Sequence, residues 1–396
     1  MAKPPTLEFL KTESGAGLML GLSVAAALGL ANSPWAAGYF ALIQTAIPVR
    51  LGGFAQTLTL EAWVRDGLMP VFFLVVGLEV KYEVLRGEFS SPRRLAVPLL
   101  AAVGGMIGPA LVYLLINAGR GGEGRGWPIP TPTDIAFALA ALAIFGRRLP
   151  QSLRIFLLTL AVADDLGAVA LIGILFSTKL RVASIASAGL VLGALALLSR
   201  WRRAPRLFYG LGFLLVLAFT LNSGISTSIA GFACALTVPV GWRRPEGESL
   251  LKSFQDAIHP YVAYVILPLF AFVSAGVSFA ELPFGSLLAP AALGVMLGLV
   301  IGKPLGVFAF TFLAVATRLG RRPMGASWLE LLGVAMLCGA GFTLSFFLGS
   351  LSFGAAEQPT LRTAVIIGST ASLLAGGVLL SRLQKIRDER AEDAVV

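Results

Sequence analysis

The sequence predicts an all-α polytopic membrane protein of about twelve transmembrane helices, with one short external β-hairpin. Three observations lead there. Of 396 residues, 57% are hydrophobic and only 13% charged, against about 45–50% and about 25% in soluble domains. Long apolar runs follow one another with no room for a soluble domain between them. The basic residues crowd into alternate loops. Disorder is excluded by the same composition, because it needs low hydrophobicity and high net charge.

A spanning helix needs about 20 mostly apolar residues. Such runs fall at 14–31, 62–83, 95–117, 132–146, 150–176, 182–199, 206–220, 224–240, 258–279, 287–311, 328–350 and 362–381, within a single integral membrane domain covering 1–396. Glu8, Lys11 and Glu13 precede the first run without a cleavage motif. That end is therefore expected to be a mature cytoplasmic segment rather than a signal peptide.

The loops test the count. With both termini cytoplasmic, 23 of the 31 Lys and Arg lie inside, among them Lys3, Lys11, Arg202, Arg203, Arg243 and Arg244. Seven lie outside: Arg50, Arg65, Arg120, Arg125, Lys179, Arg181 and Arg362. Lys303 alone sits within an apolar run. This asymmetry is the positive-inside pattern of a twelve-span protein. The net charge of +10 is then a topology signal, and nucleic acid is not an expected partner.

Residues 47–59, IPVRLGGFAQTLT, place Gly52-Gly53 between two short β-compatible runs and read as a hairpin. An irregular loop fits the local signal equally well. A lone hairpin is marginal in water, so pairing of its edge with a second copy would stabilise it. Cys234 and Cys338 lie in apolar runs and read as small core residues; with His259 the only histidine, no zinc or haem spacing exists and no cofactor is expected.

Ionisable residues deep in spans are rare, costly and usually functional. Four stand out: Asp134 after Thr133, the adjacent Asp164 and Asp165, and Lys303. At about 2.5–3.5 kcal/mol each, four unpaired charges would cost on the order of 10–14 kcal/mol. They must pair, face water or hold ions. Adjacent helical residues point about 100° apart, so one aspartate can meet Lys303 while the other faces a cation. Pro304 suggests a kink there. Carboxylates, Thr133 and freed backbone carbonyls suit Na⁺ or Li⁺, and protons compete for the same oxygens.

Two spans look interrupted. Pro128, Pro130 and Pro132 precede Asp134, and Cys338-Gly339-Ala340-Gly341 divides the 328–350 run. Interrupted segments of this kind point to a transport site, and their ends carry partial charges that Asp134 could offset.

These stretches resemble the NhaA-type Na⁺/H⁺ antiporters of bacterial inner membranes. The resemblance runs in order through PVFFLVVGLEVKYE (70–83), TDIAFAL (133–139), ADDLGA (163–168), HPYVAYVILPLFAFVSAGVS (259–278), IGKPLG (301–306) and LCGAGFTLSFFLGSLSFG (337–354). It implies two inverted-topology repeats with crossed discontinuous helices, and electrogenic export of one Na⁺ or Li⁺ against two protons by alternating access. It makes Asp164 and Asp165 the ion and proton carriers, Lys303 the salt-bridge partner of Asp164, and Thr133 with Asp134 the helix crossing, with Gly339 and Gly341 in the broken helix. Glu79, Glu83, Asp256, His259 and Asp66 fall at positions linked to pH regulation or the ion entrance. Residues 47–59 match the hairpin of family homodimers, which raises the hairpin above the loop.

The sequence departs from the family near His259, where Gln255 and Asp256 replace a Glu and a second His, at Ser226, where a His is usual, and at Tyr82, where a basic residue is usual. His259 reads as a structural residue at a loop end. Proton-coupled transport of an organic solute is the alternative, but no Arg lies deep in a span to hold an anion. An intramembrane aspartyl protease needs two aspartates from different helices, and the GxGD stretch expected of one is absent.

Overall fold

The computed structural model describes residues 13–51, 54–86, 92–177, 180–201, 205–241 and 249–393. Gly52-Gly53, Lys3, Glu8, Lys11, Lys179, Arg202, Arg203, Arg243 and Arg244 lie outside the described residues. The chain forms two compact units: Met1–Leu28, Ser91–Asp165 and Val277–Val396 make the first, and Gly29–Ser90 with Leu166–Gly276 the second. Nearly everything is helical. Five described helices are long and apolar enough to cross a membrane, or up to seven if two bent pairs each count as one span, and four shorter apolar helices of 10–17 residues accompany them.

The first unit holds most of α1 (Glu13–Ala31), then α5 (Pro92–Ile116), α6 (Ile135–Phe145) and the first part of α7 (Gln151–Leu175). It also holds α13 (Pro290–Leu297), α14 (Lys303–Ala316), α15 (Trp328–Leu337), α16 (Phe342–Ser352) and α17 (Gln358–Asp393). Small residues set its closest packing. Gly104 and Gly108 of α5 face Gly302 and Gly306, so two Gly-x-x-x-Gly stretches meet. A methyl group at Gly104 would overlap the Gly306 carbonyl, and one at Gly306 the Gly104 carbonyl. Glycine is required here for close approach, because helix association without a hydrophobic drive relies on tight van der Waals contact.

The second unit contains α2 (Ala36–Ile43), β1 (Ala46–Leu51), β2 (Phe54–Thr59), α3 (Leu60–Trp63), α4 (Met69–Arg86) and α8 (Val182–Leu198). It continues with α9 (Arg206–Thr220), α10 (Thr227–Thr237), α11 (Leu250–Tyr261) and α12 (Leu267–Ala275). Its core gathers Leu78, Tyr209, Phe213, Val216, Cys234 and Leu251. The 47–59 segment is a two-stranded antiparallel hairpin in which Ile47 faces Leu58 and Val49 faces Gln56. It is tied down by Trp63 Nε1 donating to the Ile47 carbonyl (2.9 Å) and Gln56 Nε2 donating to Asn222 Oδ1 (2.6 Å). No third strand joins it among the described residues.

Three five-residue π-helical segments interrupt the α pattern, at Val64–Leu68, Val262–Ile266 and Gly298–Gly302. Each ends two residues before a proline: Pro70, Pro268 and Pro304. Proline has no N–H and clashes with the carbonyl four residues back. The wider turn relieves that clash, and the residue before each proline donates five residues back instead: Met69 to Val64, Leu267 to Val262 and Lys303 to Gly298. Prolines thus mark the bulges, which concentrate at functional sites in helices.

One element corrects the sequence reading. The run placed at 258–279 starts at Leu250, capped by the Ser249 hydroxyl accepting from Lys252 N (3.1 Å). His259 therefore lies in the last turn of a helix and not at a loop end. The extra turns are amphipathic, burying Leu250, Leu251 and Phe254 and exposing Asp256, so a search for apolar runs passes over them.

Candidate functional site

The first unit gathers the predicted intramembrane charges where two helices begin and one ends. Asp164 and Asp165 lie in the middle of α7, 1% and 8% exposed. Lys303, fully buried, opens α14 immediately after its π segment. Its ammonium forms an ion pair with Asp164 Oδ2 and donates to the Thr131 carbonyl. The close approach at the glycine seam sets Lys303 beside Gly105, where a side chain would crowd the ammonium. The Thr133 hydroxyl, with one proton to give, lies 2.8 Å from Asp164 Oδ2 and 2.9 Å from the Cys338 carbonyl. Asp164 Oδ1 has no hydrogen-bond partner among the described residues. A buried carboxylate oxygen left open in this way can take a proton or a small cation.

The break in the 328–350 run is a bend of 49° between α15 and α16. Breaking a helix frees donors on one side and acceptors on the other. Both sets are matched here. Asp134 N donates to the Ala340 carbonyl (2.6 Å), and Thr133 meets Cys338, so the preceding segment satisfies the C-terminal side. On the N-terminal side, Asp134 Oδ2 accepts from Thr343 N (3.2 Å) and the Thr343 hydroxyl (2.6 Å). Asp134 is also the residue before α6. Its carboxylate reaches Thr343 at the start of α16, where a negative charge suits a positive helix end. Lys303 in turn donates to the buried carbonyl of Thr131 in the irregular segment before α6.

Gly339 and Gly341 are required by space. A Cβ on Gly339 would overlap Ser372 Oγ and the Leu299 carbonyl, and one on Gly341 would overlap Ser345 Oγ. The Ser345 hydroxyl in turn donates to the Ile129 carbonyl (2.7 Å) in the irregular segment before α6. Thr343, Ser345 and the carbonyls of Thr131, Cys338 and Ala340 were not read from the sequence. Hydroxyls in apolar helices are common, and carbonyls leave no mark in a sequence. The only available signal was the proximity of Thr343 and Ser345 to the Gly339–Gly341 break.

The remaining predicted residues lie in the second unit and are not part of this cluster. Glu79 and Glu83 are half-buried on α4. Asp66 receives two hydrogen bonds from Arg65, at 2.9 and 2.7 Å, within the first π segment. Asp256 pairs with Lys252 at 3.2 Å, one turn away and half exposed. His259 is exposed. Among the described residues, no group of three or more His, Cys, Asp or Glu could hold a metal ion. Backbone and hydroxyl oxygens would have to complete the shell of any cation at Asp164 and Asp165.

A multi-pass helical protein that buries a lysine–aspartate pair against the ends of interrupted helices is a membrane transporter, not an enzyme. The family model described as Na⁺/H⁺ antiporter 1 matches residues 7–380, and the chain belongs to this NhaA family. It is 44% identical over 374 residues to the Na⁺/H⁺ antiporter NhaA 1 of Pseudomonas syringae pv. syringae, covering 94% of each chain. It is 45% identical over 384 residues to NhaA of Bordetella parapertussis, covering 94% of this chain and 95% of that one. It is 41% identical over 378 residues to NhaA of Shewanella sediminis, covering 95% and 94%.

Proposed function

We propose that the protein is an electrogenic Na⁺(Li⁺)/H⁺ antiporter that exports one Na⁺ or Li⁺ for two protons, serving pH and Na⁺ homeostasis. The observation that carries this reading is the buried Asp164–Lys303 pair beside Asp165, with Asp164 Oδ1 open. Cation and protons compete at Asp164 and Asp165. A bound cation draws Asp164 away from the ammonium, and protons displace the cation on the other side of the membrane. Asp134 and Lys303 hold the helix ends of opposite polarity in place while the site changes its exposure. One net charge moved per cycle is worth about 2.3 kcal/mol per 100 mV, enough to sustain roughly a fifty-fold Na⁺ gradient.

The same reading has twelve spans in two inverted repeats, both termini in the cytoplasm, and residence in the bacterial inner membrane. The 23-to-7 division of basic residues supports the topology. The two-stranded hairpin, which no third strand joins among the described residues, supports a homodimer joined through it. Glu79, Glu83, Asp66, Asp256 and His259 are assigned to the ion entrance and pH regulation. In everted membrane vesicles, Na⁺ or Li⁺ is expected to dissipate a respiration-driven ΔpH, and Asp165→Asn to abolish the response. Full exchange by Asp165→Asn would overturn the carrier assignment.

A further inference from the structure

We infer that Ser369 and Ser372 of α17 are positioning residues that splint the broken helix from behind, one for each polarity of its cut ends. This rests on the antiport reading above for its functional consequence, but not for its geometry. Both serines are buried, at 0% and 1% exposure, and lie three residues apart, on one face of α17.

The Ser369 hydroxyl accepts from Gly341 N (3.0 Å) and Phe342 N (3.3 Å), the first two free donors of α16. The Ser372 hydroxyl donates to the Met336 carbonyl (2.7 Å), one of the last acceptors of α15, and lies 3.3 Å from the Leu299 carbonyl of the π segment. The next free donor, Thr343 N, goes to Asp134, and the carbonyls of Cys338 and Ala340 meet Thr133 and Asp134. The cut ends are therefore shared between two supports. One is the segment that carries Thr133 and Asp134. The other is α17, which brings no charge to the break itself, its Arg387 pairing with Glu330 at the far end of α15 (3.1 Å), and which touches neither Asp164 nor Lys303 through these serines.

The division has a mechanical meaning. During transport the contacts of Thr133 change, since its hydroxyl adjoins the ion pair. If they alone held the break, each change would leave buried donors and acceptors unmet, at about 1–3 kcal/mol per group. Ser369 and Ser372 keep both ends satisfied from a support that does not take part. Their opposite polarities also balance the field at the break. Ser369 offsets the positive end of α16, and Ser372 the negative end of α15. Ser372 further ties α15 to the turn that precedes Lys303, so the break and the lysine keep register.

The test measures apparent KM for Na⁺ and maximal exchange rate in vesicles at one fixed alkaline pH, with thermal melting alongside. Ser369→Ala uncovers a positive helix end, and KM is expected to rise about fivefold with the maximal rate within about twofold. Ser372→Ala removes one donor from the Met336 carbonyl, which keeps Gly339 N (3.0 Å), and KM is expected to fall. Ser369→Thr and Ser372→Thr, which keep the hydroxyl, are expected to restore wild-type KM. Should Ser369→Ala not fold, Ser369→Cys, with a weaker acceptor, is expected to raise KM by a smaller factor. Hydrogen exchange of the 338–345 backbone is read in the same preparations and is expected to quicken in Ser369→Ala. Shifts of KM in the same direction for both alanine variants, or lower melting with unchanged KM, would overturn the assignment. If wild-type vesicles show no Na⁺ exchange, the antiport reading fails by itself. The splint then stands or falls on the hydrogen-exchange result, and unchanged exchange at 338–345 would refute it.

Discussion

Replacing Lys303 with alanine tests the ion pair at the centre of the site. Lys303 is fully buried and is held by Asp164 and the Thr131 carbonyl. Its removal leaves a buried carboxylate with only the Thr133 hydroxyl, 2.8 Å away, and leaves the Thr131 carbonyl without its ammonium. Breaking one partner of a buried pair costs about 3–5 kcal/mol. At roughly 2 °C per kcal/mol for a large chain, melting should fall by about 6–10 °C. The deficit has a definite pH sign. It is largest at alkaline pH, where the orphaned carboxylate must stay charged, and shrinks as pH falls and the carboxyl takes up a proton. Adding Asp164→Asn removes the stranded charge, so the double variant should melt above Lys303→Ala. The assay is thermal unfolding of purified protein in detergent at two pH values, followed by size-exclusion fluorescence. A pH-independent loss, or a double variant no better than the single one, would refute the pairing. Exchange is expected to survive with an altered pH profile rather than to disappear.

Three further outcomes follow from the geometry. Thr343→Val removes the 2.6 Å hydroxyl bond to Asp134 and should cost about 1–2 kcal/mol, read as lower melting with raised KM for Na⁺; no change in either would show that Asp134 does not depend on α16. Gly306→Val forces a side chain into the Gly104 carbonyl; overpacking at this seam should cost about 3 kcal/mol or more, so folded yield should collapse, whereas the same change at Gly189, which meets nothing nearby, should be tolerated. Replacing residues 47–58 with a short Gly-Ser link should convert a dimer to a monomer in mild detergent while exchange persists. Dimers of unchanged mass would place the interface elsewhere.

How much of the site was legible depended on how each residue announces itself. Asp134, Asp164, Asp165 and Lys303 stand out because a charge in an apolar run needs a reason. Gly339 and Gly341 stand out more weakly, since glycine is common in membrane helices. Their role became specific only when their absent side chains were seen to make room for Ser372, Leu299 and Ser345. The π segments were half legible. Pro304 suggests a kink at Lys303, and the structure shows a wide turn there with a shifted hydrogen bond. The start of α11 was missed because its burial is one-sided.

The sequence by itself determined the class of protein, the series of apolar helices, and the few charges whose burial demands a function. Composition and charge placement are properties of the chain, and the energy of a charge in hydrocarbon needs no coordinates to be appreciated. The family resemblance already implied Lys303 as the partner of Asp164, and only the tertiary structure decided which hydroxyls and carbonyls join these charges. Lys303 is 139 residues from Asp164 and Thr343 is 209 from Asp134. Hydrogen bonds act over about 3 Å, so partners so far apart along the chain are chosen by helix packing. Backbone carbonyls, identical at every residue, become acceptors for a side chain such as Lys303 where the backbone is not helical.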